Sequence, residues 1–347
     1  MPMESSARTR LYDLAGQFLK TAPWQWLRED QLIVLKRSGV AEPDHISIMG
    51  AAGNHRCLAL YVGNRGRHRF NLLQEQQVDG VVLTQGDTVA LIFETPQLQA
   101  SFTAREDLFP EELGEIKALG RRYRGENWPC FRSFQPGYAP HPVNDDEAGL
   151  LADAIEQALV VVPDLKDDPF ADYRRGSGGA AERITRERGG DGVWRSSWSR
   201  DDMRLAAFPE PLPSEFLLAA AAELPAANAG LECQFQLIPA PIGEKGSRVL
   251  FPYLVMSVDA ETGRVAGAEL LSVQDQSHGA LIASVPDTFL QHCIRHGKRP
   301  ASIAVANAMS ETLLRGTAGS LGIPLRRQDE LPELDLALAS MMQSLGM

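Results

Sequence analysis

The chain has 347 residues, four cysteines and a formal net charge of −11, with 44% hydrophobic and 23% charged residues. Those proportions exclude a fibrous or fully disordered chain, and the length exceeds what one core usually fills, so two domains are expected. The acidic balance is spread along the chain and speaks against generic nucleic-acid binding, which needs a basic surface.

Cys57, Cys130, Cys233 and Cys293 lie far apart and form no C-x-x-C pair. That spacing argues against a structural zinc site and against a disulfide scaffold. The amino terminus lacks the apolar core of a secretory signal, and the longest apolar run, FLLAAAA from Phe216, is far short of a membrane span. The expectation is a cytoplasmic protein with no membrane association, no cofactor and no bound metal.

Leu11, Leu14, Ala15, Phe18 and Leu19 recur at helical spacing, and Pro23 ends the run. Short β-like segments follow at QLIVLK, HISIMG, RCLALYVG and DTVALIFET, separated by Gly, Asn and Pro signals. PEELGEIKALG reads as a helix stopped at Gly120. A longer helix begins after Asn144, an N-cap with Glu147 three residues later, and carries the stripe Leu150, Leu151, Ala154, Ile155, Ala158 and Leu159. Residues 1–163 are therefore expected to form one α+β domain.

Residues 164–229 read as a polar linker and connecting segment, Gly-rich at first and holding VWRSSWSR, a strand, and SEFLLAAAAEL, a short helix. Residues 230–347 run as strands, then helix, strand, helix, strand, helix, which predicts an α/β domain with at least two parallel strands. The same succession occurs in the ribonuclease-H-like fold, here in a degenerate form. Enzymes of that fold hold two metal ions with carboxylates from the first strand, the fourth strand and a later helix. In this sequence the matching positions would be Asp259, Asn307 and Asp335, with Glu333 as another helical acid. Asn307 is a neutral and weaker ligand. Asp259 also suits a simple turn, because aspartate accepts local backbone hydrogen bonds and Gly263 supplies a positive φ. No catalytic residue is therefore expected.

His292 and His296 stand four apart on a predicted helix, and its apolar face of Phe289, Leu290, Cys293 and Ile294 places both on the polar side. GSGGAA at 176–181 fits a relaxed dinucleotide pattern but follows no strand, so it is rejected. The distinctive loop NWPCFRSFQPGYAPHPVNDDE, residues 127–147, offers Trp128, Arg132, Tyr138 and His141 as binding residues.

The amino-terminal segments LYDLAGQFLKTAPWQWL, ISIMGAAGNHRCLALYVGNRG and NWPCFRSFQPGYAP resemble a family of uncharacterised bacterial proteins. That family carries a W-x-W pair, an M-G-x-x-G-x-H segment and an F-R-S-x-x-P-G-Y loop. The carboxy-terminal segments VDAETGRVAGAELL and RPASIAVANAMSETLLRGTAGSLGIPLRRQDELPELDLAL are similar to a second uncharacterised domain. Neither resemblance implies an activity or a catalytic residue. The expected role is binding or interaction with a protein partner, through the aromatic loop or the MGAAGNH turn. The alternative is a metal-dependent phosphodiester-cleaving enzyme.

Overall fold

The computed structural model describes residues 4–53, 55–75, 77–78, 81–82, 85–168, 182–200, 210–238, 240–243, 248–274 and 276–344. The chain divides into two compact units. The first comprises Met1–Gln76, Leu91–Pro136 and Pro140–Leu205, and the second Gln77–Ala90, Gly137–Ala139 and Ala206–Met347.

In chain order the first stretch holds α1 (Glu4–Thr21), β1 (Ile33–Lys36), β2 (Asp44–Met49), β3 (Cys57–Tyr61) and α2 (Gly63–Glu75). A short hairpin, β4 (Gln77–Val78) and β5 (Val81–Val82), precedes α3 (Gln85–Phe93), β6 (Gln97–Thr103), α4 (Pro110–Ala118), β7 (Trp128–Phe134) and β8 (His141–Pro142). Then come α5 (Asp145–Asp167), β9 (Glu182–Arg188) and β10 (Trp194–Arg200). The sheet of the first unit has the order β10-β9-β1-β2-β3-β6-β7-β8, and the β1–β9 pair is parallel.

Alternation along β3 assigns the two faces of this sheet. Leu58 and Leu60 join the core beneath α1 and α5, whereas Cys57, Ala59 and Tyr61 pack with Phe70 of α2. The approach of α2 depends on Gly66, where a Cβ would lie 2.8 Å from the Pro96 carbonyl oxygen and 2.9 Å from the Tyr61 carbonyl carbon. The amino end of α5 closes as expected. Asn144 Oδ1 accepts the Glu147 N–H, and the Glu147 carboxylate accepts the Asn144 N–H, each at 2.9 Å.

Two segments differ from their sequence reading. DTVALIFET does not form a strand; its core lies in α3, because an apolar run this short fits either element. Part of the stretch read as a linker forms the β9–β10 hairpin, which extends the first sheet past residue 163. Only Ile184, Thr185 and Arg186 of β9 are buried, so the hairpin shows no apolar alternation. GSGGAA at 176–181 falls outside the described residues, Glu182 being the first described after it.

The second unit contains α6 (Glu215–Ala222), β11 (Leu231–Leu237), β12 (Tyr253–Asp259), β13 (Val265–Leu271), α7 (His278–Ala283) and α8 (Val285–His296). β14 (Ile303–Val305), α9 (Ala308–Leu321), β15 (Leu325–Arg327) and α10 (Pro332–Ser344) complete it. The sheet order is β13-β12-β11-β14-β15, with β14 parallel to both its neighbours and the other pairs antiparallel. Leu254, Met256 and Val258 of β12 pack with Leu331 and Leu334 at the start of α10. Ser257 and Asp259 therefore face the other side, where α8 lies. The chain is thus a two-domain mixture of helices and sheets, and among the described residues no helix is long and apolar enough to cross a membrane.

Candidate functional site

Asp259 ends β12 and opens the turn that returns through Gly263 at φ 66°. Its Oδ1 accepts the Glu261 N–H at 3.1 Å and both the N–H and the hydroxyl of Thr262 at 2.9 Å. Its Oδ2 lies 3.4 Å from His296 Nε2. Burial opposes its charge, but these donors outweigh burial and hold the carboxyl below its ordinary range. Asn307 caps α9. Its Oδ1 accepts the Ser310 N–H at 2.7 Å, and its Nδ2 donates to the Phe235 carbonyl at 3.3 Å. Asp335 belongs to the first turn of α10, on the opposite face of the sheet from Asp259.

Asp259, Asn307 and Asp335 are therefore not brought together. Among the described residues, no group of three or more His, Cys, Asp or Glu side chains could hold a metal ion. The carboxylate that does meet α10 is Glu232 of β11, a residue the sequence reading did not single out. It is buried and accepts the Leu334 N–H at 2.7 Å, so a strand supplies the cap of a helix. Burial raises its pKa, and Glu333 and Asp335 raise it further.

The histidines of α8 also differ from expectation, for both face the sheet rather than the polar side. His292 is 0% exposed, and Ser257 Oγ bridges its Nδ1 at 2.9 Å and Cys233 Sγ at 3.3 Å. The room comes from another strand. A Cβ on Gly267 of β13 would lie 2.6 Å from His292 Nε2 and closer still to Cδ2 and Cγ. Burial, assisted by Arg295, pushes the His292 pKa down to about 4, so the imidazole is neutral. Burial pushes the Cys233 and Cys293 thiols up to about 12. Protonated thiols beside a fully buried serine make a packed polar core, not a nucleophile.

The four aromatic-loop candidates have separate partners. Trp128–Phe134 is a strand, paired along its length with β6, and Phe131 meets Tyr12 edge-on at 5.0 Å in the core. The Arg132 guanidinium is occupied by the buried Glu112 carboxylate of α4, with an NH2–Oε2 distance of 2.8 Å. His141 is exposed on β8 with Nδ1 2.8 Å from the Pro142 carbonyl. Tyr138 is counted with the second unit, where it bridges Leu250 and lies 4.8 Å beneath the Arg248 guanidinium.

Trp128 has a different setting. The registers Met49↔Cys57, Cys57↔Ser101 and Thr103↔Trp128 bring the end of β2, the start of β3, the end of β6 and the start of β7 to one margin of the first sheet. The turn after Met49, the segment after Thr103 and the segment before Trp128 gather there. Gly50 and Gly53 have positive φ, and so does exposed His55 at φ 47°, a strained position for a residue with a side chain. Arg56 donates to Asn127 Oδ1 at 3.0 Å and to the Glu126 carbonyl at 2.6 Å, which ties the turn to the other loop.

Tyr123 meets Trp128 edge-on at 5.8 Å, and the Arg105 guanidinium lies 5.9 Å from the Trp128 ring. The side chains of Arg122 and Arg124 are exposed and make neither an ion pair nor a hydrogen bond among the described residues. Glu106, Asp107 and Glu126 share these loops, leaving a small basic excess where the whole chain is −11. The sequence signal was present in GRRYRGENW, where arginines surround a tyrosine. Its grouping with Arg105 is a product of the sheet.

Residues 9–180 match the family described as Domain of unknown function (DUF7309), and residues 217–342 match Domain of unknown function (DUF6930). No curated protein matches the chain.

Proposed function

We propose that this chain, whose residues 9–180 match the DUF7309 model and whose residues 217–342 match the DUF6930 model, acts by binding an acidic segment of another protein. The supporting observation is that Arg105, which lies over the half-buried Trp128, and Arg122 and Arg124, in the segment leading to it, are exposed and make no ion pair among the described residues. Arginine beside an exposed aromatic edge is a common anchor of protein interfaces, and opposite charge steers association. Trp128 also packs against the core, so charge reversal tests the surface better than its removal.

The test is fluorescence anisotropy with a labelled oligo-glutamate peptide, comparing the protein with the R122E/R124E double variant. The expected result is binding that falls about ten-fold or more in the variant and weakens with added salt, while thermal unfolding is unchanged. Equal binding by both proteins refutes the proposal. Tighter capture of a single-stranded oligonucleotide than of the peptide refutes the protein partner and reassigns the surface.

A second reading, metal-dependent phosphodiester cleavage, draws support from the strand order of the second sheet. A ribonuclease-H-like domain has three antiparallel strands followed by two parallel ones placed beside the first. In that frame β11 is the first strand, and Asp259 sits at the end of the second. The acid on the first strand is Glu232, which is spent on the α10 backbone. Calorimetric titration with Mn²⁺ separates the readings. Saturable binding that is lost in Asp259→Asn restores the enzyme, whereas no heat in either protein removes it.

A further inference from the structure

Arg186 occupies the middle of β9 and is 8% exposed. Its Nε and one terminal nitrogen donate to Gln157 Oε1 of α5 at 3.0 and 2.8 Å, and its other terminal nitrogen donates to Ser196 Oγ of β10. Neither acceptor is charged. The nearby carboxylates are already engaged. Glu156 accepts from Arg10 at 2.8 Å and from Gln157 Nε2 at 3.3 Å, while Asp153 accepts from Arg10 at 2.7 Å and lies 3.8 Å from Arg188. Burial lowers the Arg186 pKa, and among the described residues no carboxylate opposes that effect.

A buried guanidinium without a counter-charge is costly, and its usual remedy is visible elsewhere in this unit. Arg132 has Glu112, and Arg37 has the buried Asp44 at 2.7 Å. Position 157 could have carried a glutamate, which has the shape of glutamine and would form a two-point pair with Arg186. Glutamine keeps the geometry and leaves the charge unmatched. Three of the five guanidinium N–H groups are used by Gln157 and Ser196, so two remain without a partner among the described residues.

The opening of the site is set by strand register. Arg186 is opposite Ser196, with Ile184↔Trp198 on one side and Arg188↔Trp194 on the other. Ser196 therefore sits between two half-buried indoles on the same face, and it is itself exposed. A group arriving over Ser196 meets its hydroxyl, with the guanidinium bonded behind it and an indole at each neighbouring register position.

We infer that Arg186, Gln157 and Ser196 form a binding site for an oxyanion, carried by a ligand whose flat apolar part lies against Trp194 or Trp198. A carboxylate and a phosphate share the required chemistry: negative charge, acceptor oxygens for the two remaining N–H groups, and an acceptor for the Ser196 hydroxyl.

The probes are benzoate and phenyl phosphate, each titrated against chloride at equal ionic strength, with tryptophan fluorescence and thermal unfolding as readouts. The protein is compared with Gln157→Glu, which supplies the missing carboxylate from within. The expected result is saturable fluorescence change and stabilisation of the native protein by one probe, with affinity reduced at least ten-fold in Gln157→Glu. In that variant the pair gained with Arg186 is set against the lost Gln157 Nε2 bond to Glu156, so its thermal unfolding is measured alongside. The probe that binds distinguishes a carboxylate ligand from a phosphate one. Equal responses in both proteins, or none beyond chloride, overturn the inference. A cooperative unfolding transition of Gln157→Glu in the same thermal assay separates loss of binding from loss of structure.

Discussion

Replacing Gly267 by alanine tests whether His292 is held as described. The added methyl would lie 2.6 Å from Nε2 and nearer to two ring carbons, in a site where the imidazole is 0% exposed. Gly267 is not among the glycines with positive φ, so alanine is acceptable to the backbone and only the collision counts. Overpacking costs about 1–3 kcal/mol. Displacing the ring from Ser257 Oγ adds about 1 kcal/mol, and the lower chain entropy of alanine returns about 0.5–1 kcal/mol. The net is a loss of about 1–3.5 kcal/mol, a fall of roughly 2–14 °C in the Tm of a domain this size. Urea and thermal unfolding of the single variants and of Gly267→Ala/His292→Ala measure it. In the double variant the methyl fills space left by the ring, so its cost should largely vanish. The reasoning fails if Gly267→Ala costs under about 0.5 kcal/mol, or if its cost is the same with and without His292.

Acid should weaken the second unit in two stages. His292 is depressed from 6.5 to about 4, so the unfolded chain binds its proton first and stability falls as pH drops through that window. The loss is on the order of 3 kcal/mol, and His292→Gln should flatten it in pH-dependent urea unfolding. Asp259, held below its ordinary value, adds a further loss as pH falls through its own lowered pKa, and Asp259→Asn should remove that part. Glu232→Ala deprives α10 of its cap and should cost about 1–2 kcal/mol, read by denaturant unfolding, with no change in the first unit. Arg132→Met leaves the Glu112 carboxylate buried without its partner, and the expected cost is about 3–5 kcal/mol. Glu112→Gln in the same background should recover part of it.

Elements whose signals are local could be read from the chain. The Asn144–Glu147 box and the turn from Asp259 through Gly263 need only neighbours, and both form. The parallel strands β14 and β15 followed from the alternation of short apolar runs with helices. What escaped depends on distant residues. His292 lies on the buried side because Gly267, on another strand, makes room for a ring there. Arg132 was read as a binding residue because Glu112 stands twenty positions away. The β9–β10 hairpin is polar because it lies at the margin of the sheet, where few side chains are covered. Arg105 and Trp128 meet only because antiparallel registers bring four strand ends together.

Glu232 and the Leu334 N–H it accepts are 102 residues apart in the chain. A helix capped from within its own segment can begin to form as soon as that segment exists. α10 must instead wait for β11 to take its place, which requires closure of most of the second unit. Its first turn is thus a late event in folding, stabilising the finished domain while contributing little to the transition state. Perturbing that contact should leave the folding rate nearly constant and speed unfolding. The carboxy-terminal helix then acts as a latch on the completed sheet, setting how long the native state persists.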